Sequence, residues 1–271
     1  MPTAVVALLF LAAGAAMLRF RLDSMLWPRS PSTVLGLPPA TFSTLDGGGN
    51  GAIARRVGPE TGRCVVFFPG RHGGFLRYAR DLFPSLNAAG LTVWAVSYAG
   101  QDGASGESTR STVFADVDQI LRVVERQCPQ SHTVFLGRSL GATVAAVAAS
   151  RWHPNGLVLE GAGVSLAAAV RRELAQHWYF HALKVLPVES LIGTDYPLDD
   201  YLRRYGLTRT VVFEGERDDI APVSDLQHLA HLGVRLEVVP GATHTNTYQL
   251  AGHALPDTLA ALTSTPPVSA R

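Results

Sequence analysis

Net charge is the first thing this 271-residue chain lacks: 23 basic residues stand against 22 acidic ones, for +1 at neutral pH. Binding to a phosphate backbone needs a basic excess, so nucleic acid is not expected as a partner. Cysteine is nearly absent. Two residues exclude a small disulfide framework and a four-cysteine zinc site. Lysine is represented by Lys184 alone, so the other 22 basic side chains are arginines. Neither G-x-x-x-x-G-K-[ST] nor G-x-G-x-x-G occurs, so no nucleotide is suggested, and no motif calls for a cofactor or a metal. At 47% hydrophobic and 17% charged, the chain is too apolar for disorder and long enough for a sizeable core.

The apolar residues are concentrated at the start. Residues 3–18 carry no charge and are nearly all Ala, Val, Leu or Phe. As a helix this run spans roughly 24 Å, just short of a ~30 Å hydrocarbon layer. Arg19 and Arg21 could reach an interface, and Trp27 suits the headgroup level. A hydrophobic N-terminal helix over residues 1–27, acting as a single membrane anchor, is therefore expected. A signal peptide ending near Ala13-Gly14-Ala15 and a buried core helix are the alternatives. Arg19, Arg21 and Arg29 on the C-terminal flank favour a cytoplasmic domain without deciding the side. Without the first thirty residues the count becomes 20 basic against 21 acidic, a slightly acidic domain behind a basic membrane-proximal segment.

A Pro-rich connector follows at 28–40 (Pro28, Pro31, Pro38, Pro39), then a hairpin formed by 41–45 and 52–56 around a glycine-rich turn. Short apolar strands are expected at 64–68, 92–97, 133–136, 156–159, 210–213 and 235–239. Helical windows at 76–89, 113–127, 140–151 and 224–232 separate most of them. Continuous apolar strands joined by helices give a mostly parallel central sheet covered on both faces, an α/β domain over 41–262. The long gap between the fourth and fifth of these strands reads as an inserted helical cap near 162–206. A helix near 247–262 and a frayed tail at 263–271 complete the chain.

Gly137-Arg138-Ser139-Leu140-Gly141 fits G-x-S-x-G between an apolar strand and an Ala-rich helix. Serine is a weak nucleophile, and a sharp strand-to-helix turn would present Ser139 with room only for glycine on either side. An acid and a base should follow in that order. Asp218 lies just beyond the strand at 210–213, with Asp219 and Glu216 as weaker candidates. His244 lies just beyond the strand at 235–239 and is the candidate base. Backbone N–H groups of Arg71, after the strand at 64–68, and of Leu140 would bind an oxyanion; an offset alignment would use His72-Gly73-Gly74. Arg71 and Arg138 could also attract an anionic substrate group. His177 and His181 share helical spacing without the glutamate of a zinc protease, and His228 and His231 read as surface. Trp178, Tyr179 and Phe180 could line an acyl pocket.

The set P-G-R-H-G-G, S-Y-A-G-Q-D-G-A-S-G, G-R-S-L-G, G-E-R-D-D and G-A-T-H resembles the α/β-hydrolase superfamily. Within it, the chain is similar to small-cap, N-terminally membrane-anchored serine hydrolases and serine aminopeptidase-like proteins. Two departures stand out: Pro69-Gly70 replaces His-Gly, and Tyr98-Ala99-Gly100 replaces Tyr-Arg-Gly. The resemblance implies a catalytic triad of Ser139, Asp218 and His244 with an oxyanion hole at Arg71 and Leu140. It implies a monomeric serine hydrolase of esters or thioesters, with a small-molecule or lipid-like acyl substrate. An aminopeptidase or amidase on the same triad, and a non-catalytic membrane-bound scaffold, are the alternatives. The resembled fold also makes the strands near Cys64 and Cys128 neighbours. A disulfide there is feasible, against two buried thiols, and would place the domain outside the cytoplasm.

Overall fold

The computed structural model describes residues 2–30, 42–43, 50–176 and 188–264. Among these, eight strands form one sheet: β1 (Phe42–Ser43), β2 (Ile53–Val57), β3 (Cys64–Phe68), β4 (Thr92–Ser97), β5 (Thr133–Arg138), β6 (Gly156–Glu160), β7 (Thr210–Gly215) and β8 (Arg235–Val239). Their order is β1-β2-β4-β3-β5-β6-β7-β8. β1 and β2 pair antiparallel, as the expected hairpin would, and β2 joins β4 antiparallel. All later neighbours are parallel.

Every residue of β3 through β7 is buried, which is why these strands read as continuous apolar runs. Alternation survives in where they point. Val66, Phe68, Trp94, Val96 and Phe135 enter one core, and Val65, Phe67, Val93, Ala95 and Val134 enter the other. The first core is covered by α4 (Val113–Val124), α5 (Leu140–Trp152), α8 (Leu198–Tyr205) and α9 (Val223–His231). The second is covered by α2 (Phe75–Arg80), α3 (Leu82–Ala88), α10 (Thr247–Leu250) and α11 (Ala254–Ser264).

Prolines explain two departures from the expected helices. The window at 76–89 breaks at Asp81 because the Pro84 ring would collide with the Arg80 carbonyl in an unbroken helix. Asp81 Oδ1 instead caps α3 by accepting the Leu82 N–H at 2.7 Å. Pro256 splits the C-terminal helix into α10 and α11 in the same way. Thr263, the first residue of the expected frayed tail, is instead fully buried within α11, where its hydroxyl bonds the Ala260 carbonyl, and 265–271 lie outside the described residues.

The insertion between β6 and β7 holds α6 (Leu166–Gln176), α7 (Val188–Ile192) and α8. Of these, α8 packs on α5 as an ordinary sheet-covering helix, so the cap is narrower than 162–206. The residues between α6 and α7, with His177, Trp178, Tyr179, Phe180, His181 and Lys184, lie outside the described residues. So do most of the connector and the hairpin turn.

A helix does form at the N-terminus, α1 (Pro2–Leu26). The expected transmembrane anchor is not supported, because among the described residues no helix is long and apolar enough to cross a membrane. Arg19, Arg21 and Asp23 interrupt the apolar run, and the last turns belong to the domain itself. Leu22, Leu26 and Trp27 are buried in the first core, with Trp27 edge-on to Tyr98. Asp23 accepts the Arg110 backbone N–H at 3.0 Å and pairs with its guanidinium at 2.8 Å.

Cys64 and Cys128 are joined as a disulfide, with Cα atoms 5.8 Å apart. It ties the start of β3 to the segment entering β5, at the sheet edge opposite the strand ends that carry the candidate site.

Candidate active site

The site assembles where parallel strands end. β5 delivers Arg138, and α5 begins at Leu140, so Ser139 alone makes the turn, at φ 53° and ψ −120°. A side chain pays strain to sit there, and such strain is kept only where the surroundings fix it. Two tight contacts do so. A Cβ on Gly137 would strike the Gly141 carbonyl and Ala145, and one on Gly141 would strike the Phe68 and Pro69 carbonyls. The Ser139 N–H is held by the Glu160 carbonyl at 2.8 Å.

Three side chains separated by 79 and 26 positions meet here. His244 Nε2 lies 2.9 Å from Ser139 Oγ, and His244 Nδ1 lies 2.7 Å from Asp218 Oδ2. Asp218 Oδ1 accepts the N–H groups of Ile220 and Ala221 at 2.9 and 2.7 Å. Burial opposes ionisation of Asp218, but the hydrogen bond and charge of His244, with the Ala221 N–H, hold its carboxyl below the usual carboxylate range. The two weaker acid candidates are exposed: Asp219 faces solvent, and Glu216 accepts the Gly241 N–H at 2.8 Å.

Arg71 and Leu140 line the cavity beside Ser139 and His244. In the offset alignment, the N–H groups of Gly73 and Gly74 are used elsewhere. Gly73 N–H goes to the Gly70 carbonyl at 3.0 Å and Gly74 N–H to Asp102 Oδ2 at 2.9 Å. Tyr98 and Gln101 brace this loop by donating to the carbonyls of Pro69 and Arg71, at 3.2 and 2.6 Å.

Three ionisable residues beneath the site were not expected in these roles. Arg138 does not face a substrate: its guanidinium pairs with buried Glu160 at 2.8 Å and donates to the His244 carbonyl at 2.7 Å. Glu160 Oε1 in turn accepts the Tyr248 N–H at 3.2 Å. Glu214 is buried with its carboxyl pushed up to about 10, first by burial and then by the hydrogen bond and charge of Asp218. It therefore keeps its proton and donates to Asp218, while Oε2 accepts the Ala162 N–H at 3.1 Å. A signal for both glutamates exists in the sequence: each directly follows the apolar run of its strand, at 156–159 and 210–213.

Ser139 opens on a cavity of about 170 Å³. It is also lined by Leu22, Met25 and Leu26 from α1 and by Leu166, Val170 and Leu174 from α6. Among the described residues no cluster of His, Cys, Asp or Glu could hold a metal, and His228, one of the surface histidines, pairs with Asp199 at 2.9 Å.

The chain is similar in structure to an esterase from Pyrococcus furiosus, with a TM-score of 0.62 and 16% identity over 80% of this chain and 87% of that one. An alpha-beta hydrolase from Vibrio vulnificus gives 0.63 and 15% over 79% of each chain. The thioesterase domain from the curacin biosynthetic pathway gives 0.54 and 17% over 77% of this chain and 94% of that one. At such identities these likenesses establish the α/β-hydrolase fold. No curated protein sequence matches the chain. The family described as serine aminopeptidase, S33, matches residues 59–200, which include Ser139, Arg71 and Leu140 but stop short of Asp218 and His244. That match spans more than half of the chain, which therefore belongs to the S33 serine aminopeptidase family and is a serine hydrolase of α/β-hydrolase fold.

Proposed function

We propose that the protein is an esterase or thioesterase that takes an apolar acyl group. One observation carries the choice between ester and aminopeptidase. An aminopeptidase must receive a free ammonium beside the scissile bond, which calls for a carboxylate in the pocket. No Asp or Glu is among the described residues lining this cavity, and its one arginine, Arg71, would repel an ammonium.

In this reading Ser139 Oγ attacks the acyl carbonyl carbon while His244 Nε2 takes its proton. Asp218 holds His244 with Nδ1 protonated and stabilises the imidazolium. The N–H groups of Arg71 and Leu140 bind the oxyanion, where each donor contributes about 3 kcal/mol in the transition state. His244 protonates the departing alcohol or thiol. Water, activated by the same imidazole, then cleaves the acyl-enzyme and restores Ser139.

The test is labelling by a fluorophosphonate probe together with turnover of matched ester and aminoacyl-amide substrates. Labelling lost in Ser139→Ala, with ester turnover and no aminoacyl-amide turnover by the wild type, is the expected result. Labelling equal in Ser139→Ala and wild type overturns the nucleophile, and preference for the amide overturns the substrate class. A folded wild type that neither labels nor turns over would favour the scaffold reading.

The same reading places the enzyme at a lipid surface outside the cytoplasm, without spanning the bilayer. Val5, Val6, Leu9, Phe10, Met17 and Phe20 on α1 are exposed, and Arg19 and Arg21 beside them suit anionic headgroups. The Cys64–Cys128 disulfide suits an oxidising compartment. Flotation with phosphatidylcholine/phosphatidylglycerol vesicles tests the surface: the wild type should float and Leu9→Asp/Phe10→Asp should not. Equal behaviour of the two proteins overturns it.

A further inference from the structure

The N-terminal helix and the cap form one apolar slot between them, and neither would form it alone. On the α1 side, Leu22, Met25 and Leu26 present three consecutive contacts of one helical face, since positions 22, 25 and 26 are spaced i, i+3 and i+4. On the α6 side, Leu166, Val170 and Leu174 repeat at intervals of four, again one face. The two faces line the same cavity as Ser139 and His244. The six side chains on these two faces carry no hydrogen-bonding group, and Thr143 and Ser165 also line the cavity. It suits an unbranched acyl chain, which needs only dispersion and burial along its length.

We propose that α1 is the acyl-chain ruler of this enzyme, with Met25 the residue that sets how long a chain the slot accepts. Three features make α1 a fixed wall. Asp23 is pinned by the Arg110 backbone and guanidinium, Trp27 is buried against Tyr98, and the Pro28 carbonyl accepts a 3.0 Å hydrogen bond from Gln101. Gln101 also braces the loop of Arg71, so the wall and the oxyanion loop share one support. Met25 is the residue to change because it is only half-buried, whereas Leu22 and Leu26 are structural core. Its unbranched side chain fills space that a larger or smaller one would redraw.

This inference rests on the ester reading, and the experiment separates the two. The full-length protein and its Met25→Trp and Met25→Ala variants are assayed on p-nitrophenyl esters from acetate to laurate. Labelling rates with short- and long-alkyl fluorophosphonates are measured in parallel. Met25→Trp should lower the ratio of long-chain to short-chain kcat/KM by roughly tenfold or more, and Met25→Ala should move the optimum to longer chains. Chain-length profiles superimposable on the wild type in both variants overturn the ruler. Absence of ester turnover with labelling intact overturns the ester reading instead. In that case the ratio of labelling rates still reports whether Met25 limits the alkyl chain.

Discussion

Arg138 Nη2 donates to the carbonyl oxygen of His244 at 2.7 Å, so the residue preceding the candidate nucleophile holds the loop that carries the candidate base. Its Nε faces Glu160 at 2.8 Å, and both side chains are almost fully removed from water. Burying this pair is costly, and the geometry offsets the cost only while both partners are present. Removing one leaves a lone charge under the site. Glu160→Ala is expected to lose about 3–5 kcal/mol in urea unfolding. Replacing both, as Arg138→Met/Glu160→Leu, should recover most of that stability without recovering kcat, because the His244 carbonyl still lacks its donor. Equal kcat in the double variant and wild type would remove Arg138 from the positioning of His244.

Asp218 and Asp219 are adjacent in sequence and opposite in environment. Asp218 accepts from His244 Nδ1, and Asp219 faces solvent. Asp218→Asn keeps the shape but favours the wrong tautomer of His244, so kcat should fall by about 10⁴-fold with little change in stability. Asp219→Asn should stay within twofold of wild type. Steady-state kinetics on one ester, beside thermal melts, checks both.

Glu214 gives the protein a pH dependence of known sign. Its carboxyl sits at about 10 in the folded chain against an ordinary value of 4.5. The folded state thus keeps a proton that the unfolded chain releases. The stability associated with that proton is complete below pH 4.5 and is lost as pH rises towards 10. Glu214→Gln preserves a neutral group able to donate to Asp218 but cannot ionise. It should be more stable than wild type at pH 8–9 and similar near pH 4.5, with activity at neutral pH retained. Urea midpoints across this range decide; a constant difference between the two proteins would show that Glu214 does not titrate on unfolding.

The disulfide closes a loop of 64 positions. Constraining the unfolded chain over that length is worth about 4 kcal/mol in the chain-entropy account. Cys64→Ser/Cys128→Ser should lower stability by up to that amount. Its kcat should be unchanged, since the bond lies at the far end of the strands from Ser139. Denaturant unfolding and ester kinetics measure the two effects, and an unshifted midpoint would contradict the first.

Several elements were legible because their causes are local. Apolar runs bounded by turns located β3, β4 and β8 to the residue, and the glycines around Ser139 marked the turn that its φ of 53° requires. Order along the chain selected Asp218 and His244, each just past a strand end. Two helix breaks had local causes that the apolar pattern masks, whereas the fate of α1 had none. Pro84 and Pro256 stand inside apolar windows, yet their rings broke the helices. Residues 3–18 look the same to a sequence whether water, lipid or a neighbouring helix faces them, so the fate of α1 could not be read from composition.

By itself, the sequence determined the parallel sheet, the elbow at Ser139 and the candidate acid and base, because period, glycine placement and chain order act over a few residues. Tertiary structure alone decided that Arg138 turns inward to Glu160, that Glu214 shares its proton with Asp218, and that α1 ends as a wall of the cavity. Each depends on burial and on partners between 4 and about 150 positions away, and only the packed sheet brings them within hydrogen-bond or van der Waals reach.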